Sequence, residues 1–350
     1  MTQPALQVRP PSVWRSLAAR REFALAVLIL LILLAVSVRN SAFISPDVLG
    51  GILNKCVQPA VVAAGVMLVI VTGEIDISVG AAMGFLTAVV GILMSRRLFP
   101  QWAPAWAGPQ PFSVPVAVLI TLALGTFIGL VNGLLVTLVR VPSIIVTLGM
   151  MTILKGLTVM MMKENITDVP ESFHVIGTGD LGDALGLPLP LGRLSVWVAA
   201  LVLLAAFALL RYTPLGRRIF AVGSNAHAAA LAGVSETRIK VFCFAATGFL
   251  VGLATLLTPV AVFDSGTGDG FELLVVTCVV VGGVSINGGI GTVGGVALGV
   301  LLLQMQKTVL IFLKLGADAS KWDKAIQGAL ILAAVLVDYF TRRRAGRPRP

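Results

Sequence analysis

Apolar residues run in long, nearly unbroken blocks along this chain, and polar residues gather in the intervals between them. The blocks lie at roughly 23–38, 53–72, 76–94, 113–138, 143–162, 194–211, 239–260, 271–285, 290–312 and 324–340. Most approach the about 20 residues that an α-helix needs to cross the hydrocarbon core of a bilayer. The pattern predicts an all-α polytopic membrane protein with about ten transmembrane helices. The eighth block is short, which makes nine spans the alternative count.

The longest internal run of helix-forming, polar and basic character is 213–238, rich in alanine and arginine. Ser224 or Asn225 can N-cap a short helix through Ala226 to Ala232, where alanine favours helix. Gly233 then ends it in a left-handed cap. An oily protein can meet a soluble partner on such a surface element.

Composition strengthens the membrane reading. Of 350 residues, 57% are hydrophobic and only 12% charged, against about 25% charged in a soluble domain. Net charge is +10, but the Lys and Arg residues punctuate apolar blocks and form no soluble basic face. Nucleic acid is thereby excluded as a partner, and membrane lipid is the partner of the basic tail Arg342–Arg349. With ten spans and the N-terminus inside, 15 Lys and Arg fall on the cytoplasmic side and 9 outside. The bias predicts that both termini and the 213–238 loop are cytoplasmic. Residues 1–22 then form a cytoplasmic leader, 23–340 the membrane domain, and 341–350 a basic cytoplasmic tail. The first block lacks a small-x-small cleavage site, so it reads as an uncleaved helix rather than a signal peptide. Cys56, Cys243 and Cys278 all sit in apolar blocks without CxxC spacing, and they read as small buried hydrophobes.

Small residues four apart recur at Gly80/Gly84, Gly125/Gly129/Gly133, Gly248/Gly252 and Gly291/Gly295/Gly299. In lipid this spacing lets helix backbones approach closely. Two Gly-interrupted strings, Val71–Gly80 and Val281–Ile290, resemble one another and suggest an internal repeat, inverted in the membrane, around a transport pathway. Glu74 and Asp76 stand between long apolar blocks with no Lys or Arg beside them. Acids in such places are costly and usually functional. Asp76 lines a pathway, accepting hydrogen bonds from substrate hydroxyls, or caps the third span through N–H groups near Ser78 and Val79; the two roles are compatible. Gly289–Gly294 matches GxGxxG but lies between membrane blocks, which rejects a dinucleotide site. Asp264–Gly270 is too short for a calcium loop and reads as a flexible extracytoplasmic turn. No GxxxxGK[ST] string occurs. His174 and His227 fall on opposite sides, so no metal or catalytic cluster forms around them.

Several strings together resemble the permease subunits of ABC-type sugar importers, the ribose, xylose, arabinose, rhamnose and autoinducer group of the branched-chain-type permeases. They are Gly73–Gly80, Asn132-Gly133 with Val141–Gly149, Thr213–Arg217, Gly223–Val234 and Gly282–Gly289. The resemblance covers roughly 50–340. It implies that Gly223–Gly233 is a coupling helix docking on a cytoplasmic ATP-binding subunit, with Gly223, Asn225, Ala229, Ala230 and Gly233 as coupling residues. It further implies a periplasmic sugar-binding protein, a second permease copy or paralogue, and residence in the bacterial inner membrane. The chain is then no enzyme and holds no cofactor, ATP being used by the partner. Asp76, Ser78, Asn132, Ser285 and Asn287 are the candidate pathway residues for a monosaccharide or related polyol. Glu74 departs from the family, where a small residue is commoner, so it either alters selectivity or faces solvent. An ion-coupled secondary transporter is the alternative. It requires a buried charge network, for which Glu74, Asp76 and Lys155 are the main candidates.

Overall fold

The computed structural model describes residues 21–99, 112–179, 192–258, 262–313 and 322–345. Residues 1–20 of the leader, 100–111, 180–191, 259–261, 314–321 and 346–350 of the tail lie outside them. In chain order the helices are α1 (Arg21–Arg39), α2 (Pro46–Val71), α3 (Val79–Met94), α4 (Val114–Leu138), α5 (Ser143–Met161), α6 (Glu171–Thr178) and α7 (Leu194–Tyr212). They continue with α8 (Pro214–Ser224), α9 (Ala226–Leu231), α10 (Glu236–Leu256), α11 (Phe271–Val281), α12 (Val293–Phe312) and α13 (Trp322–Ala345). Helices α6, α8 and α9 occupy polar intervals, and the other ten coincide with the ten apolar blocks. Seven of those ten are long and apolar enough to cross a bilayer, whereas α3, α11 and the apolar part of α13 are shorter. The last helix runs to Ala345, so the first residues of the basic tail continue it.

Helix α2 is the core. Its sequence is apolar on every side over Ala60–Val71, with small residues on several faces, and a helix without a polar face must be covered all round. Its most apolar window is 83% buried, against 11% for α1 and 17% for α5 and α7. Helices α7, α10, α11 and α12 surround it, and the outer helices turn apolar side chains to the lipid.

The glycine ridges set the closest approaches. In α4, Gly125, Gly129 and Gly133 lie against Gly248, Phe244 and Val241 of α10. A Cβ at Gly125 would stand 2.5 Å from the Gly248 carbonyl oxygen, and one at Gly133 would stand 2.9 Å from Val241 Cα. Gly295 packs α12 on Gly282 at the end of α11. Gly80 and Gly84 face the segment that leads into α11, and Gly80 also meets Glu272 in the first turn of that helix. They meet Thr267 and Gly268, so this part of the Asp264–Gly270 turn packs against α3, while residues 264–266 and Asp269 stay exposed. Its left-handed Gly268 and Gly270, with φ of 90° and 77°, allow the fold-back.

Contacts between loops sort them into two ends, as alternating spans require. One end joins Glu22 to Thr292, Glu74 to Lys240 and Val71 to Gly289. This basic end also holds Arg140 and the 213–238 loop, which the charge count assigns to the cytoplasm. The opposite end joins Ser95 to Asp168, Arg97 to Glu164, and the backbones of Ile166 and Phe263.

Replacing Gly248 by Ala puts a methyl into the Gly125 backbone and is expected to cost about 2 kcal/mol. Gly149→Ala adds a methyl where nothing lies within 4 Å and is expected to be neutral. Thermal melts of the detergent-solubilised protein separate the two. At the opposite end, burial raises the Asp168 pKa, but bonds from the Ser95 hydroxyl and the Arg97 N–H, with the Arg97 charge, outweigh it and hold the carboxyl below 3.8. A depressed folded pKa gives stability that is present above the unfolded value and lost as pH falls through the folded one. Acid melts of Asp168→Asn are expected to lack this part of the wild-type loss below about pH 4.

Candidate functional site

The chain leaves α2 through Gly73, whose φ of 85° turns it back into the bundle. Residues 74–78 then run without helix until α3 begins. In this unwound stretch the Ile75 N–H donates to Ser143 Oγ at 3.1 Å. Asp76 is buried, and its Oδ1 accepts from the Ser78 N–H at 2.8 Å and from Ser78 Oγ at 2.6 Å. Asn132 of α4 donates from Nδ2 to the same Ser78 oxygen at 2.9 Å. Asp76, Ser78 and Asn132, spread over two blocks in sequence, thus form one polar cluster. Asp76 makes the cap-type bond to Ser78 and still belongs to that cluster. The Asn132 Oδ1 is buried with no protein partner.

Ser285 and Asn287 lie elsewhere. They belong to a turn between α11 and α12 in which the Ser285 N–H donates to the Ile290 carbonyl and the Gly288 N–H to that of Ser285, both at 2.9 Å. Ser285 is buried and Asn287 exposed. The turn touches the end of α2, where the Gly289 N–H donates to the Val71 carbonyl at 2.8 Å. It adjoins the unwound stretch at the basic end, where Gly288 lies against Gly73.

Sequence reasoning missed Glu272. It stands in the first turn of α11, 6% exposed, with its Oε2 unpartnered and packed on Gly80 in the first turn of α3. The starts of two short helices therefore meet inside the bundle, with Asp76 at one and Glu272 at the other. Helix N-termini carry partial positive charge and favour such acids. The signal was a lone acid following a Gly-rich turn at the head of an unusually short block.

Glu74 neither stands unpaired nor simply faces solvent. Lys240 of α10 approaches it at 2.6 Å and Glu236 at 2.5 Å. The Lys240 and Glu74 side chains are 13% and 17% exposed. They line a basic-end recess of about 380 Å³ with Thr137, Arg140 and Thr237. Lys155, also a candidate for a charge network, pairs instead with Asp269 at 2.8 Å.

At the basic end, α8 and α9 form a bent pair. Thr213 caps α8, accepting from the Gly216 N–H at 3.1 Å. Asn225, extended at φ −162°, breaks the helix and caps α9, accepting from the Ala228 N–H at 2.9 Å. Gly233 closes α9 in the left-handed region at φ 79°. Asn225, Ala230 and Gly233 are exposed, while Ala229 is buried and turns inward. Leu231, which sequence reading passed over, is 81% exposed on the outer face. Gly223 packs on the Val71 carbonyl and the Gly289 N–H, where a Cβ would find no room.

The family model described as branched-chain amino acid transport system / permease component matches residues 48–335. The ribose import permease protein RbsC of Haemophilus influenzae is 33% identical over 336 residues, 94% of this chain and 95% of that protein. The autoinducer 2 import system permease protein LsrC of Enterobacter sp. (strain 638) is 31% identical, covering 93% and 88%. The L-arabinose ABC transporter permease protein AraH of Azospirillum brasilense is 30% identical, covering 95% and 91%. No solved structure matches the chain significantly.

Removing Lys240 leaves two half-buried acids facing one another, whereas removing Glu74 leaves Lys240 bonded to Glu236. Lys240→Met is therefore expected to destabilise the fold by roughly 1–2 kcal/mol more than Glu74→Gln. Equal shifts in a melting series of the two variants would contradict this ordering.

Proposed function

The chain belongs to the branched-chain amino acid transport system permease family, and from that premise we propose that it is the membrane subunit of an ATP-driven importer. Its substrate is a monosaccharide or related polyol, and the membrane is the bacterial inner membrane. The observation that carries the reading is end-to-end similarity to permeases named for ribose, L-arabinose and autoinducer 2 import. ATP is hydrolysed by a separate cytoplasmic subunit. A periplasmic binding protein delivers the solute, and a second permease, identical or paralogous, completes the pathway.

Helix α9 is the docking element for the ATPase. It offers Leu231, Ala230 and Asn225 outward, and Gly223 seats its base on the ends of α2 and the α11–α12 turn. Asp76, Ser78 and Asn132 supply carboxylate, hydroxyl and amide groups suited to sugar hydroxyls. They lie just beyond the stretch that α9 would move.

Cells carrying the complete transporter are expected to take up radiolabelled pentose while ATP is maintained, even with an uncoupler present, and to stop when ATP is depleted. The opposite pattern would assign an ion-coupled secondary transporter. Deleting Gly223–Gly233 should abolish assembly with the ATPase while leaving membrane insertion intact. Asn132→Ala should lower uptake by roughly tenfold at unchanged protein level. Normal uptake by the deletion variant would refute the coupling role.

A further inference from the structure

Next to the meeting of α3 and α11, on the side away from α9, lies a cavity of about 450 Å³. Its walls come from α2, α3, the Thr267–Phe271 turn, the end of α10 and the start of α13. The polar side chains that line it are Gln58, Thr258, Thr267, Asp269, Lys324 and Gln327. Asp269, which lines the cavity, is already paired with Lys155 at 2.8 Å. Gln58 spends its Nε2 on Thr258 Oγ1 at 2.6 Å and on the Ala254 carbonyl at 3.3 Å. Its carbonyl oxygen is thereby left as the acceptor, and the Thr258 hydroxyl proton is left to donate. Gln327 adds a buried Nε2 with no protein partner. Phe271 and Met83 supply apolar surface. Donors and acceptors at the edge of an apolar wall are what the hydroxyls and the C–H face of a sugar ring require.

We propose that this cavity is the polyol-receiving site of the permease, with Gln58, Thr258 and Gln327 binding hydroxyls and Phe271 lying against the ring. The inference rests on the importer reading and adds a place for the substrate that sequence motifs did not mark. The cavity faces the end opposite the ATPase-docking helix and is separated from the Asp76 cluster only by the first turns of α3. A solute released there therefore sits one helix start away from the unwound stretch.

Gly328 gives a clean test, because it lines the cavity and an added Cβ there meets nothing within 4 Å. Gly328→Cys in the intact transporter should insert at the wild-type level, and its uptake before labelling is the reference for the next step. A membrane-impermeant maleimide applied from the periplasmic face should then label it and lower uptake by at least about tenfold. Gln327→Leu should independently lower uptake by about tenfold at unchanged ATPase assembly. Failure of the maleimide to label Gly328→Cys, or labelling without loss of uptake, overturns the proposal, as does normal uptake by Gln327→Leu. A wild-type transporter that takes up no pentose or hexose overturns the importer reading as well, and that outcome is visible before any variant is made.

Discussion

Backbone N–H and C=O groups have no water to turn to inside a bilayer, so a chain can abandon helix there only where protein covers it. Among the described residues, the chain abandons helix inside the bundle after α2, before α11 and after α11. The breaks cover one another. Gly289 donates to Val71, Ile75 donates to Ser143 Oγ, and the 267–268 turn closes over Gly80 and Gly84. Helix α11, at 11 residues, is about 17 Å long and cannot cross a core of about 30 Å alone. Its neighbours must therefore carry the irregular segments to meet it. The buried polar groups gather where they do because the breaks gather there.

The spans were legible because hydropathy reports burial in lipid directly, and each apolar block became a helix. Caps were legible for the same local reason. Asn225 and Gly233 act on the backbone within four residues, and the structure places them at the two ends of α9. What stayed hidden depends on distance. Glu74 seemed unpartnered because Lys240 lies 166 residues away in sequence. The Asp264–Gly270 turn seemed a flexible surface loop because composition reports polarity but not the glycines of α3 that receive it. Ala229 lay among alanines of equal character, and only the helix's rotation against α8 and α10 turned it inward.

Charge placement follows from the same geometry. An acid at the centre of a membrane helix costs about 3 kcal/mol, and this bundle offsets that cost in different ways for different acids. Glu74, near the basic end, takes Lys240 as a partner. Asp76 takes a hydroxyl and a backbone N–H beside a helix start. Glu272 sits in a first turn with one oxygen uncommitted. The partners grow weaker from the basic end inward, so the acids deepest in the bundle retain the most capacity to accept hydrogen bonds from something that is not protein.

The contact between the α8–α9 pair and this region is made by the end of α8, and it is backbone. Gly223 lies on the Val71 carbonyl and the Gly289 N–H without an intervening side chain. Side chains can absorb a displacement by changing rotamer, whereas close-packed backbones transmit it. Val71 is the last residue of α2, and the unwound stretch to Asp76 begins three residues later. A pull or push on α9 is then felt first at the two breaks and only afterwards by the helices. Glycine at 223 follows from that arrangement, since any larger residue would separate the two backbones and put a compressible layer between the docking helix and the segment it must move.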